Sequence, residues 1–225
     1  MAALDQNGNR NLGQQPLAAR FGHLVNVIGS QRFLKMQGLN NDLPFYICEF
    51  RAAEAIEMQR LVRQLIHKLA SMSIDCLQGR GVRILDIDLY DLSIALLQAR
   101  EGSNAATSLW DDLLAIETEV DKDQLLELLQ NVLGIEEYLI PAIGERLAQA
   151  EYDVIFLSGI GEVFPFIRSH NVLNNLQSRI KGKPLVMFFP GEYRHSLEQG
   201  ASLELFGLLR DDKYYRAFNI YEIQA

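Results

Sequence analysis

Two short, uninterrupted apolar runs, Val154-Ile-Phe-Leu157 and Leu185-Val-Met-Phe-Phe189, constrain this chain more than any other feature. Neither alternates apolar with polar residues, so each should form a strand buried on both faces, as in a parallel sheet covered by helices. The first run enters Ser158-Gly-Ile-Gly161 and then a segment with Val172, Leu173 and Leu176 at helical spacing. The second ends at Pro190-Gly191, a pair that by default makes a turn. Strand, Gly-rich turn, helix, strand, Pro-Gly loop is the grammar of an α/β nucleotide-binding domain.

The rest of the chain repeats that grammar. Phe21, Leu24, Val25, Ile28, Phe33 and Leu34 predict a short helix within 17–36, followed by a strand at 45–50. Met58, Leu61, Val62, Leu65, Ile66 and Leu69 mark a long amphipathic helix. A second strand is expected over 82–89 and a helix over 92–99, with Asp91 as a candidate cap. Residues 108–150 read as helical pieces broken near Val120-Asp121 and Gly134, with Asp121 an N-cap and Pro141 an N-terminal turn or a kink. The aromatic stretch 212–221 suggests an edge strand or hairpin. The expected fold is α/β: a three-layer domain with a mostly parallel sheet, P-loop-NTPase/Rossmann-like without a phosphate-binding motif. It spans 17–225 as a single domain, with an acidic helical lobe inserted at 101–150. Residues 1–16, rich in Asn, Gln and Gly, read as a disordered tail that is neither signal peptide nor anchor.

The formal net charge is −8, the reverse of what a polyanion-binding surface needs. Acids concentrate at Asp111, Asp112, Glu117, Glu119, Asp121, Asp123 and Glu127, against the single base Lys122. Direct DNA binding is therefore disfavoured. The two cysteines, Cys48 and Cys76, sit in apolar surroundings and form no CxxC pair. No apolar run approaches the ~18 residues of a membrane span, so the cytoplasm is the expected location. No cofactor is implied.

The chemistry of a nucleotide enzyme is missing from its usual places. A P-loop needs GxxxxGK[ST] after a first strand, so that backbone N–H groups and a lysine can cradle phosphate. Here that turn reads Cys48-Glu-Phe-Arg-Ala-Ala-Glu-Ala55, without a glycine. Gly159-Ile-Gly161 matches GxGxxG only in part, and the third strand ends in Leu157-Ser158 without a metal-holding acid. Asp86, Asp88 and Asp91 form a carboxylate group that could ligate a divalent cation, or could cap a helix and face solvent. Glu162, Arg168, His170 and Asn171 on one loop, and Glu192, Arg194 and His195 on another, lie where α/β folds bind ligands. With no GxSxG elbow among them, they read as partner contacts, with Ser169 or Asn171 capping a helix. Trp110, Asp111 and Asp112 offer an acidic, aromatic face for a basic protein partner.

Several long motifs carry a family resemblance. Arg32-Phe-Leu-Lys-Met-Gln-Gly-Leu39, Pro44-Phe-Tyr-Ile-Cys48, Ile87-Asp-Leu-Tyr-Asp-Leu92, the run from Gly159 through Glu162 and His170 to Leu176, Val186-Met-Phe-Phe-Pro-Gly-Glu-Tyr193 and Asp211-Asp-Lys-Tyr-Tyr-Arg-Ala-Phe-Asn-Ile220 closely resemble the BrxB family. The likeness runs from about Arg20 to Tyr221. It implies an accessory protein of bacterial BREX bacteriophage-exclusion systems, which mark host DNA by adenine methylation and block unmethylated phage DNA. BREX loci encode a methyltransferase, a large AAA-type ATPase, a small DNA-binding protein and a PglZ-type alkaline-phosphatase-like protein. The resemblance brings no catalytic motif. It implies a non-catalytic subunit that binds another BREX protein, the PglZ-type one first, touches DNA only through the complex, and leaves a homo-oligomer open. Two rival readings are a divergent nucleotide-binding or metal-dependent phosphohydrolase-like enzyme and a DNA-binding subunit.

Overall fold

In the computed structural model, residues 12–38, 44–180, 182–196, 200–211 and 217–225 are described. The chain divides into two compact units. One comprises Met1–Asp86, Glu151–Leu157 and Ile180–Ala225; the other comprises Ile87–Ala150 and Ser158–Arg179.

The sheet runs β2 (Ile84–Asp88), β3 (Val154–Ser158), β4 (Leu185–Ser196), β1 (Phe45–Phe50), β7 (Phe218–Asn219). β4 pairs in parallel with both β1 and β3, and β7 adds to the far edge of β1, also in parallel. Both apolar runs are strands buried on both faces, as their lack of alternation implies. On one face Tyr46, Cys48, Val154, Phe156, Val186 and Phe188 share a core with the apolar sides of α1 (Leu17–Ile28) and α3 (Ala55–Ala70). Phe156 and Phe188 meet edge-to-face at 5.0 Å between ring centroids. On the other face Ile47, Ile155, Leu157 and Met187 are equally buried. The helix expected over 17–36 is two helices: Gly29 ends α1, and Ser30 accepts from the Phe33 N–H to cap α2 (Gln31–Leu34).

Pro190-Gly191 is not a turn. β4 continues through it, and this corrects the expected Pro-Gly loop. Proline has no N–H to give a ladder, and the parallel register with β1 ends at Phe50↔Pro190. From Gly191 onward the strand pairs antiparallel with β5 (Gly200–Leu205), which in turn pairs with β6 (Leu209–Asp211). A Cβ on Gly191 would run into the Glu204 carbonyl and approach Phe189 Cε1 at 2.7 Å, so only glycine allows this crossing. Of the stretch 212–221, residues 212–216 lie outside the described residues, while β7 forms the expected edge strand.

The second unit holds α4 (Leu89–Ala99), α5 (Leu109–Ile116), α6 (Lys122–Val132), a π-helical turn (Ile135–Leu139), α7 (Ile140–Gln149) and α8 (Ser169–Leu176). Asp121 caps α6 by accepting from the Asp123 and Gln124 N–H groups, and Pro141 lies in the first turn of α7. Leu97, Leu113, Leu133, Leu139, Ile143 and Leu176 are buried.

One acid fixes the start of two strands. Asp153 accepts from the Arg83 N–H (2.9 Å) and from both Nη atoms of Arg80 (2.6 and 2.9 Å), while its own N–H donates to the Arg83 carbonyl. Burial alone would raise its carboxyl, but these hydrogen bonds outweigh it and hold it down to about 2. Because the folded value lies below the ordinary 3.8, this contribution is present above about pH 4 and disappears as pH falls toward 2. Asp153→Asn should destabilise the chain by about 1–3 kcal/mol at neutral pH and flatten the acid limb of urea midpoint against pH; an unchanged limb would contradict this assignment.

Candidate functional site

In an open α/β sheet, ligands bind beyond the carboxyl ends of the strands, where helix N-termini present unpaired N–H groups. After β1 the chain makes one 3-10 turn (Ala52–Glu54) and enters α3. Glu54 occupies this turn. Its carboxylate accepts from the Arg51 N–H (3.2 Å), from the Arg51 side chain and from Arg20 Nη2 at 2.8 Å to each oxygen. Arg20 has no exposed surface and spends Nε on the Gln15 carbonyl. Burial would raise the Glu54 carboxyl, but the hydrogen bonds from Arg51 and Arg20 keep it below the usual range.

Glu49, one residue before the end of β1, is buried. Its two oxygens accept separately, Oε2 from the Tyr193 N–H (2.8 Å) and Oε1 from Asn219 Nδ2 (3.1 Å). One carboxylate therefore ties β1 to the far half of β4 and to β7. Burial raises this carboxyl; the two hydrogen bonds oppose that, and Glu192 and Glu222 reinforce it. Behind it, Cys48 Sγ and the Tyr221 hydroxyl lie 3.3 Å apart, and burial pushes the thiol up to about 12, which makes it inert at neutral pH.

After β2, Asp88 fills the corresponding position. It caps α4 by accepting from the Tyr90 (2.9 Å) and Asp91 (3.1 Å) N–H groups, and its other oxygen accepts from Ser158 Oγ at 3.2 Å. The cap is thus Asp88, not the expected Asp91: the last strand residue has the extended backbone that a cap needs, whereas Asp91 is already helical. Gly159 packs against this cap with φ +75°; a Cβ there would collide with Asp88 Oδ1 and reach 2.8 Å from the Tyr90 nitrogen. The glycine after β3 is required by that approach. Among the described residues, no group of three or more His, Cys, Asp and Glu could hold a metal ion.

The expected contact residues fall in both units. Glu162 is exposed in the turn 160–166, and Arg168 is exposed at the N-cap of α8. Neither Ser169 nor Asn171 caps that helix, because Arg168 holds the cap position without a side-chain bond; the Asn171 carbonyl instead accepts from Asn175 Nδ2. His170 is buried and contributes almost no surface. Glu192 is exposed on β4, while Arg194 and His195 follow it with side chains outside the described residues. Trp110 is half-buried in the first turn of α5, and Asp111 forms a capping box with Ser108. Asp112 accepts from the Ser103 N–H and hydroxyl. Both acids thus organise the loop before α5. Beside them lies a cleft of about 580 Å³ lined by Arg100, Glu101, Thr107, Ser108, Trp110 and Asp111. Arg100, not singled out from the sequence, stacks 3.7 Å over the Tyr138 ring and donates to the Val132 carbonyl.

A family model described as BREX protein BrxB matches residues 85–220, well over half the chain. A BREX protein BrxB from Bacillus cereus (strain H3081.97) is 30% identical over 204 residues, covering 89% of this chain and 95% of that protein. The chain belongs to the BrxB family. A second BrxB member, from Escherichia coli O9:H4 (strain HS), is 24% identical and covers 91% of each chain. No solved structure matches. The stretch matched by the BrxB model contains Asp88, Ser158, Gly159, Tyr193 and Asn219. No helix among the described residues is long and apolar enough to cross a membrane.

Glu49→Gln would set an amide NH2 against one of two donors, with Asn219 unable to turn because its Oδ1 accepts from the Tyr221 N–H. It should cost about 1–3 kcal/mol in denaturant unfolding. Asp88→Ala should cost about 0.5–2 kcal/mol, the usual loss of a cap. If both variants unfold like the wild type, these carboxylates are not holding the strand ends.

Proposed function

We propose that this chain is a non-catalytic, protein-binding subunit of a BREX phage-defence and DNA-modification system. One observation supports this above the others: at the βα turns after β1 and β2, N–H groups that would cradle a phosphate already donate to the chain's own carboxylates, Glu54 and Asp88. An incoming polyphosphate would meet negative charge there instead of open donors. The scaffold is read as a three-layer, P-loop-NTPase/Rossmann-like architecture that lacks its phosphate motif and carries an acidic helical lobe.

The partner is another BREX protein in the cytoplasm, with the PglZ-type protein the first to test. A net charge of −8 favours protein contacts and leaves DNA to be reached through the complex. Melting with and without Mg–ATP tests the absence of a nucleotide site. A ligand at 100 times its Kd would add about 2.7 kcal/mol, whereas no shift is expected here; a clear, saturable rise would overturn the non-catalytic reading. Purification from cells expressing the complete locus should recover a defined complex, and recovery of the chain alone would overturn the binding role.

A further inference from the structure

Helix α3 turns an uncompensated basic side to solvent. Its buried stripe is Met58, Leu61, Val62, Leu65 and Leu69. The opposite stripe, at i, i+4, i+7 and i+11, is Ile56, Arg60, Arg63 and His67, and all four are exposed. Glu57 is the sole carboxylate of α3, and it forms no ion pair. Arg60 and Arg63 form none either among the described residues. Like charges one turn apart repel within a helix. Nothing in the helix itself offsets this, and Ile56, 63% exposed, adds an apolar end to the stripe.

The inverse pattern lies in the other compact unit. On α5, Leu114 is 49% exposed, and exposed Glu117 follows one turn later on the same helical face. On α6, Asp123 and Glu127 are exposed one turn apart. Among the described residues, none of these three acids forms an ion pair. Each helical surface thus presents unpaired charge of one sign beside one exposed aliphatic side chain, and the signs are opposite.

We propose that α3 docks on the α5–α6 segment of a second copy of this chain, with Arg60 and Arg63 facing Glu117, Asp123 and Glu127, and Ile56 packing on Leu114. The contact joins two different surfaces, so each copy offers one and receives one. At physiological salt, exposed charges are screened beyond about 8 Å. The net charge of −8 on each copy is therefore felt less than the pairing at contact. Ile56 favours a second copy over nucleic acid, because a phosphate backbone gives an aliphatic side chain nothing to pack on. This inference goes beyond the partner-binding role and does not rest on it.

Light scattering on the purified full chain is the test. The wild-type mass should rise above that of one chain with concentration, and added salt should reverse the rise. Arg60→Glu/Arg63→Glu and Glu117→Lys/Glu127→Lys, each alone, should weaken association at least tenfold while melting like wild type, because these exposed side chains have no partner within the chain. Mixing the two variants should restore association, since the reversed faces then meet each other and the unaltered faces also meet. Ile56→Asp should weaken association without being rescued by either charge variant. A wild type that stays a single chain at every concentration, variants that associate like wild type, a mixture that does not recover, or association indifferent to salt would overturn the proposal. So would a wild type that remains a single chain but retards duplex DNA through Arg60 and Arg63, which would assign the stripe to nucleic acid. Because no other BREX protein is present, failure here leaves the role proposed above standing.

Discussion

The pairing of β4 with a parallel strand on each side is the constraint on which the strand ends depend. With Val186, Met187 and Phe188 buried in both directions, the middle of this sheet has no room for a polar side chain. Polar work is displaced to the carboxyl ends, where each βα turn exposes N–H groups that need acceptors. Many α/β proteins leave those donors to a ligand. This chain supplies its own acceptors: Glu54 in the turn before α3 and Asp88 before α4. Glu49 goes further, because it joins three strands through two hydrogen bonds while remaining buried.

The same central strand explains the second half of the architecture. Pro190 ends the parallel ladder, Gly191 lets Glu204 and Phe189 approach, and β4 then serves as the base of an antiparallel hairpin. The Tyr193 N–H that Glu49 receives lies just beyond this crossing. A single strand thus carries both the buried core and the exposed hairpin, and the carboxylate of β1 secures the point where one becomes the other.

Periodicity made much of this legible from sequence. The bounds of β1, the apolar stripe of α3 and the capping by Asp121 depend on neighbours a few residues apart, and local chemistry decides them. Pro190-Gly191 misled because the same dipeptide serves a turn or a crossing, and only the partner strand β5 distinguishes the two. Asp88 and Asp91 are both good caps by composition; where β2 ends chooses between them. The contacts that close the strand ends were not legible at all. Glu54 with Arg20, Asp153 with Arg80 and Glu49 with Tyr193 are separated by 34, 73 and 144 residues. Such pairings follow from topology, for which the sequence carries no local signal.

The central claim is that the strand-end donors are already engaged. The most direct test watches those amides by ¹⁵N–¹H NMR as Mg–ATP is added. Arg51, Tyr90, Asp91 and Tyr193 should keep their positions up to millimolar nucleotide, because their hydrogen bonds end on the chain's own carboxylates. A saturable shift confined to these amides would mean that phosphate displaces them, and would contradict the account.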